Sequence, residues 1–165
     1  MKKITIPLMM ILASLLVFSC ASSGSGAKIE GDVTQDKVNT ALGTIYDTYR
    51  SKLDMTGAQS YTVVSGDSLS QITRKFYGNL TGVGDAGANN GFHFPVIMLA
   101  SGNKIVDPDL IEPGMQLKIP DLQKNLANPV SRKAIKDCLN EVAYVYNRKG
   151  VAATENGLRK LADSL

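Results

Sequence analysis

An α+β protein is expected: a small β-α-α-β unit over residues 61–120, with a two-stranded antiparallel sheet, flanked by N- and C-terminal α-helices. Three observations lead there. Met115, Leu117 and Ile119 alternate with Gln116 and Lys118 as in a half-buried strand. Ser68 and Gln71 form a capping box ahead of an apolar face made by Leu69, Ile72 and Phe76. Outside the unit, apolar residues recur at helical spacing on both sides.

In chain order, Lys2 and Lys3 precede an apolar run over residues 8–18 that ends at Ser19-Cys20, the pattern of an export signal. As a helix the run reaches about 16 Å, short of the ~30 Å hydrocarbon core, so a permanent membrane span is disfavoured. Val17-Phe18-Ser19-Cys20 resembles a bacterial lipobox, with Phe18 larger than the usual residue there. That resemblance implies a lipoprotein signal peptide over 1–19 and a lipidated Cys20 carrying acyl chains such as palmitate. Two or more chains anchor stably where one binds marginally. Residues 20–32 follow as a small, polar tether.

Residues 33–56 are expected to be a helix, its apolar face made of Val38, Leu42, Ile45, Tyr49 and Leu53. Residues 61–64 suit a pleated strand, and Ser65-Gly66-Asp67 breaks it. The capped helix then runs to Gly78. A second helix starts at Phe94-Pro95, where proline costs little in the first turn, and Gly102 limits it. Asp107-Pro108 forces an extended or turn conformation. Pro113-Gly114 fits the centre of a type II turn before the closing strand. Over residues 128–165, Asn128-Pro129 opens a helix with the stripe Ile135, Leu139, Val142 and Tyr146, and Arg148-Lys149-Gly150 closes it. A last helix, from Thr154, lines up Leu158, Leu161 and Leu165. The simplest packing sets the first helix against the last two.

The chain carries 18 Lys+Arg against 15 Asp+Glu, and loss of Lys2 and Lys3 leaves it nearly neutral. That excludes the strong basic footprint of a phosphate-tracking nucleic-acid binder and leaves a neutral sugar open. With Cys20 acylated, Cys138 has no partner for a disulfide, and its place between Ile135 and Leu139 reads as a small buried hydrophobe.

The segments YTVVSGDSLSQITRKFYG and DPDLIEPGMQLKIP, at the two ends of residues 61–120, resemble a lysin motif (LysM). LysM modules are two strands with two helices on one side, and they bind glycans containing N-acetylglucosamine, such as peptidoglycan or chitin. The resemblance implies a shallow groove between the loop after the first strand and the loop before the second. Its residues here are Gly66, Asp67, Ser68, Leu69, Pro108, Asp109, Leu110 and Ile111. The chemistry suits such loops. An N-acetyl group offers an amide donor, a carbonyl acceptor and a methyl, so a site needs free backbone groups beside a small apolar contact. Gly66 admits close backbone approach, the helix start at Ser68 offers N–H groups, and Leu69, Leu110 and Ile111 supply an apolar floor. Shaping and capping the fold account for Asp67, Ser68, Pro108 and Leu69 equally well. Two departures stand out: Ser101 replaces a frequent Asn, and residues 79–93 lengthen the usual connection. This insertion is glycine-rich, with Leu80, Val83 and two alanines as its aliphatic residues, and is expected to be a mobile loop.

Other motifs are discounted. Residues 82–87 fit GxGxxG, but no strand feeds into them and no βαβ unit surrounds them. Residues 85–91 faintly resemble a calcium loop whose glycine is displaced and whose twelfth position is Val96. Ser101 and Lys104 fit SxxK without its companion motifs. His93 reads as a loop histidine with no set of metal co-ligands, and Asp107 and Asp109 flank a turn rather than a deep cleft. No metal site, cofactor or catalytic residue is expected, and the chain is read as no enzyme.

The combined expectation is a non-catalytic, membrane-anchored lipoprotein of the bacterial cell envelope that binds peptidoglycan and links wall to membrane. Ala21 after the cysteine is compatible with the periplasmic face of the outer membrane. The alternative is a protein-interaction factor whose flanking helices recruit or regulate a cell-wall enzyme.

Overall fold

A computed structural model describes residues 27–84, 88–102 and 105–165. The expected leader, Cys20 and the first part of the tether lie outside the described residues, as do residues 85–87 of the glycine motif and Asn103 and Lys104 of the SxxK match.

The element order is α1 (Gln35–Tyr49), β1 (Gln59–Thr62), α2 (Leu69–Tyr77), α3 (Phe94–Ser101), β2 (Gln116–Ile119), α4 (Leu122–Ala127), α5 (Pro129–Arg148) and α6 (Ala152–Ser164). The strands form a two-stranded antiparallel sheet in which Tyr61 faces Leu117 and Gln59 faces Ile119. β1 thus begins two residues before the expected strand. Beyond Thr62 the pairing continues through Val63 N–H to the Met115 carbonyl at 2.9 Å and Gly114 N–H to the Val63 carbonyl at 2.8 Å.

The first helix stops at Tyr49 and tightens into a 3-10 turn, Arg50–Lys52, rather than running on to residue 56. Buried polar groups pin that exit. Asn125 donates through Nδ2 to the carbonyls of Asp54 and Asp121, both at 2.9 Å, and accepts from Asp54 N–H at 2.8 Å. Ser131 Oγ donates to the Lys52 carbonyl at 2.7 Å. α2 opens with the expected capping box: Ser68 Oγ accepts from Gln71 N–H while the Gln71 side chain accepts from Ser68 N–H. Asn128 caps α5 through Val130 and Ser131 N–H groups.

α3 is the centre of the molecule. Phe94, Val96, Ile97, Met98 and Leu99 are all buried, with β2 and α2 packed on it from the module and α1 and α5 from the flanks. Its last buried residue, Ser101, accepts a hydrogen bond from Lys118 N–H at 3.0 Å, tying the helix end to the sheet. α5 buries Ile135, Leu139, Val142 and Tyr146 against α1 and α6, whose Leu42, Ile45, Leu158 and Leu161 are also fully enclosed. Each such side chain contributes about 1.5–3 kcal/mol on burial. Cys138 lies in this interface, where burial pushes its thiol pKa up and keeps it protonated. One core therefore runs through module and flanking helices.

Two segments are more firmly held than their composition suggests. Ile29, in the expected tether, is buried, with Tyr144 Oη accepting from its N–H at 3.1 Å and donating to its carbonyl at 3.3 Å. Arg148 also reaches the Gly31 carbonyl at 2.6 Å. The described parts of the expected mobile loop after Gly78 are also packed. Val83 is buried, Ala88–His93 forms a 3-10 helix, and Asn90 Nδ2 donates to the carbonyls of Tyr77 and Leu80 at 2.7 and 3.1 Å. His93 is no loop histidine: it is fully buried, its Nε2–H donates to the Val83 carbonyl at 2.9 Å, and its Nδ1 has no partner. Burial holds its pKa down at about 4, partly offset by the Val83 bond. Among the described residues no helix is long and apolar enough to cross a membrane.

Candidate functional site

The first loop is a turn over residues 64–67, closed by Asp67 N–H donating to the Val64 carbonyl at 3.1 Å. Gly66 occupies its third position at φ +90, a conformation that L side chains rarely adopt. One carboxylate oxygen of Asp67 folds back over the turn, accepting from Val64 N–H at 2.9 Å and Tyr61 Oη at 2.8 Å, which holds its pKa below the usual carboxylate value. Ser68 is taken up by its capping box. Leu69 and Ser70 come next, and their N–H groups, in the first turn of α2, have no intrahelical acceptor.

The second loop is braced from outside the module. Asp107 is buried, and its carboxylate accepts from Asp109 N–H, from Gln35 of α1 and from Lys149 at the end of α5, each at 3.0 Å. Burial alone would raise its pKa; these bonds outweigh burial and hold it below the usual value. Lys149 also contacts Asp109 at 2.6 Å, and its pKa ends raised because the two carboxylates more than offset its own burial. Tyr146 Oη donates to the other Asp109 oxygen at 2.9 Å, and Tyr46 Oη donates to the Val106 carbonyl at 3.1 Å. Helices α1 and α5 thus fix the backbone of residues 106–109.

Between the loops lies a cleft of about 240 Å³. Six of the eight sequence-predicted residues line it: Asp67, Ser68, Leu69, Pro108, Asp109 and Ile111. Gly66 and Leu110 do not, and Leu110 stands 58% exposed. The remaining lining was missed: Ser70, Phe92, Phe94, Tyr146 and Thr154, the last three from α3, α5 and α6. Tyr146 and Phe94 meet edge to face, ring centroids 5.9 Å apart. One sequence signal pointed there, Gly157 inside the apolar pattern of the last helix, since a lone glycine in a helix usually has a packing reason. The cleft combines backbone donors, hydroxyls and small apolar patches, which suits a neutral polar ligand. Its volume falls below the ~300 Å³ at which drug-sized sites begin, so contact with one unit of a polymer is the natural fit.

Two carboxylates border the cleft, and both are engaged: Asp67 by Val64 N–H and Tyr61, Asp109 by Lys149 and Tyr146. Asp107 and Asp109 share one ammonium and form part of the brace. Among the described residues, no group of three His, Cys, Asp or Glu is placed to hold a metal ion.

Comparison with known proteins bears on this cleft. Residues 61–120 match the LysM domain family, so the two loops and the elements they join are those of a LysM domain. The chain is similar to an uncharacterized protein of Deinococcus radiodurans, 37% identical over 71 residues, which are 43% of this chain and 23% of that one. It is also similar to the potassium binding protein Kbp of Escherichia coli O6:H1, 33% identical over 93 residues, 53% of this chain and 55% of that one. The chain thus spans about half the length, or less, of these curated relatives. No solved structure matches it.

Proposed function

Taking residues 61–120 as a LysM domain, we propose that this protein binds N-acetylglucosamine-containing glycan, peptidoglycan first, in the cleft between residues 67–70 and 108–111. One observation carries the reading: within the region that matches the LysM family, the cleft lies between the loop after β1 and the loop before β2, and it is bordered by the first turn of α2, whose leading N–H groups have no intrahelical acceptor, and by Leu69 and Ile111. The role is binding without catalysis. In this reading Cys20 is acylated and the protein holds cell-wall strands close to a membrane, at the periplasmic face of the outer membrane. Single contacts in so shallow a cleft are weak, and many anchored copies facing a polymer supply avidity.

The alternative, recruitment of a cell-wall enzyme by the flanking helices, loses its main feature because both helix stripes are buried against each other. What remains to it is a shallow apolar cleft between α1 and α5, beside Tyr49, Pro129, Val130 and Ala134. A cation role, by analogy with the potassium-binding relative, draws no support from the acidic pair near the glycan cleft, since Lys149 already supplies the positive charge between Asp107 and Asp109.

The test is co-sedimentation of the full chain, in mild detergent, with purified insoluble peptidoglycan, alongside Ser70→Trp, which fills the cleft from its α2 side. Saturable binding that Ser70→Trp abolishes, with an unchanged circular dichroism spectrum, is the expected result. No sedimentation of the unaltered protein would end the glycan reading.

A further inference from the structure

The cleft has a wall that the LysM domain does not supply by its two loops. Phe92, from the segment that lengthens the connection between α2 and α3, is half-buried and borders the cleft. Its ring lies on helix α6 at Gly157, where a Cβ would overlap three of the ring carbons. Glycine is a poor residue for a helix interior, and here its lack of a side chain is what admits the ring. Thr154 is one turn earlier on the same helix, three residues from Gly157 and so on the same face, and it also borders the cleft. The wall therefore combines an aromatic ring, backed on one side by Gly157, with the Thr154 hydroxyl. The other side of the cleft carries Ser68, Ser70 and Asp109.

A pyranose in a β-linked chain has matching chemistry, a face of C–H bonds rimmed by hydroxyls and the acetamido group. We propose that Phe92, seated on Gly157, is the surface on which the C–H face of an N-acetylated sugar packs, with Thr154 bonding at its rim. Helix α6 and the inserted segment are then part of the glycan site. The proposal rests on the glycan reading above and adds to it a determinant outside the two loops. Phe92 is held in place for this role: side-chain bonds of Asn90 and His93 fix the chain on either side of it.

The experiment is calorimetric titration of the full chain in detergent with the soluble tetramer of N-acetylglucosamine. Phe92→Leu keeps an apolar side chain and removes the flat ring, and should weaken binding by roughly three- to tenfold, the worth of one aromatic contact. Phe92→Trp should retain binding. Gly157→Ala displaces the ring, a cost in stability that its gain in helix propensity offsets in part, so it should weaken binding while the protein stays folded, and combining it with Phe92→Leu should add little further loss. Affinity for the tetramer within twofold of the unaltered protein in Gly157→Ala, or in a folded Phe92→Leu, would overturn the proposal. Should Phe92→Leu fail to fold, Gly157→Ala decides alone. Absence of binding by the unaltered protein would instead remove the glycan reading, and this inference with it.

Discussion

Replacing Lys149 by methionine keeps most of the side chain's length and apolar stem and removes the ammonium that joins Asp107 to Asp109. At about 3 Å and an effective dielectric constant near 20, each ion contact has a gross attraction of about 5 kcal/mol, most of it cancelled by the desolvation of the charges. The net loss depends on what Asp107 has left. Its side chain is 2% exposed and it keeps Gln35 and the Asp109 N–H, so it is undercompensated rather than bare. A destabilisation of about 3 kcal/mol is expected, at the lower edge of the range for breaking a buried pair. Urea unfolding of both proteins at pH 7 measures it. The pH dependence is more discriminating. In the unaltered protein Asp107 has a depressed pKa, so its contribution is present above the ordinary value of 3.8 and is lost as pH falls through and below it. In Lys149→Met the same carboxyl is buried without its cation and gains from protonation, so the gap between the two proteins should narrow below about pH 4. Asp107→Asn added to Lys149→Met should recover about 1–2 kcal/mol at neutral pH. A Lys149→Met protein within about 0.5 kcal/mol of the original, or a gap unchanged by acid, would refute the view that this ion cluster braces the second loop.

Three further outcomes are expected. His93 has a folded pKa near 4 against 6.5 unfolded, so stability is full above pH 6.5 and declines by about 3 kcal/mol as pH falls to 4; His93→Gln should flatten that part of the pH profile in urea titrations, and an unaltered profile would contradict the buried neutral imidazole. Ser68→Ala removes both the hydroxyl acceptor and the reciprocity of the capping box and should cost about 1 kcal/mol in thermal unfolding, with a loss below about 0.3 kcal/mol counting against the cap. Tyr144→Phe deletes the bonds to Ile29 and should speed proteolytic clipping near residues 27–31 while leaving the rest of the digest pattern unchanged; equal clipping rates would show that burial of Ile29 alone holds the segment.

What was legible in the residues was what short-range physics decides. The Ser68–Gln71 box, the Asn128-Pro129 start of α5 and the alternation in β2 all rest on contacts within a few positions, and all three form as expected. β1 begins early because Gln59 and Ser60, poor strand formers, are recruited by Ile119 and Lys118, some sixty positions away. α4 is too short to show a period, and it stands on the Asp121 cap and the distant bonds of Asn125 to Asp54. The inserted segment was taken for a mobile loop because its aliphatic content is low; its described parts are held by Phe92 meeting Gly157 and His93 meeting Val83. The candidate site divides the same way. Its loops could be located as turns from their residues and read as a site through the LysM resemblance, whereas Tyr146, Thr154 and the Lys149 brace reach it from the C-terminal helices, a distance that no local pattern encodes.

The bonding of Ile29 to Tyr144 sets a leash length. Nine positions separate Cys20 from Ile29, and nine residues span at most about 32 Å. For a body of this size, with a radius of gyration of about 14 Å, a cysteine held in a leaflet, as proposed above, would confine the cleft to within roughly 70 Å of that surface. Glycan strands farther away would be out of range however strongly they bound, so the gap between membrane and wall, more than affinity, would decide how many copies are engaged. Lengthening the polar stretch before Ala27 would extend that range without altering the cleft.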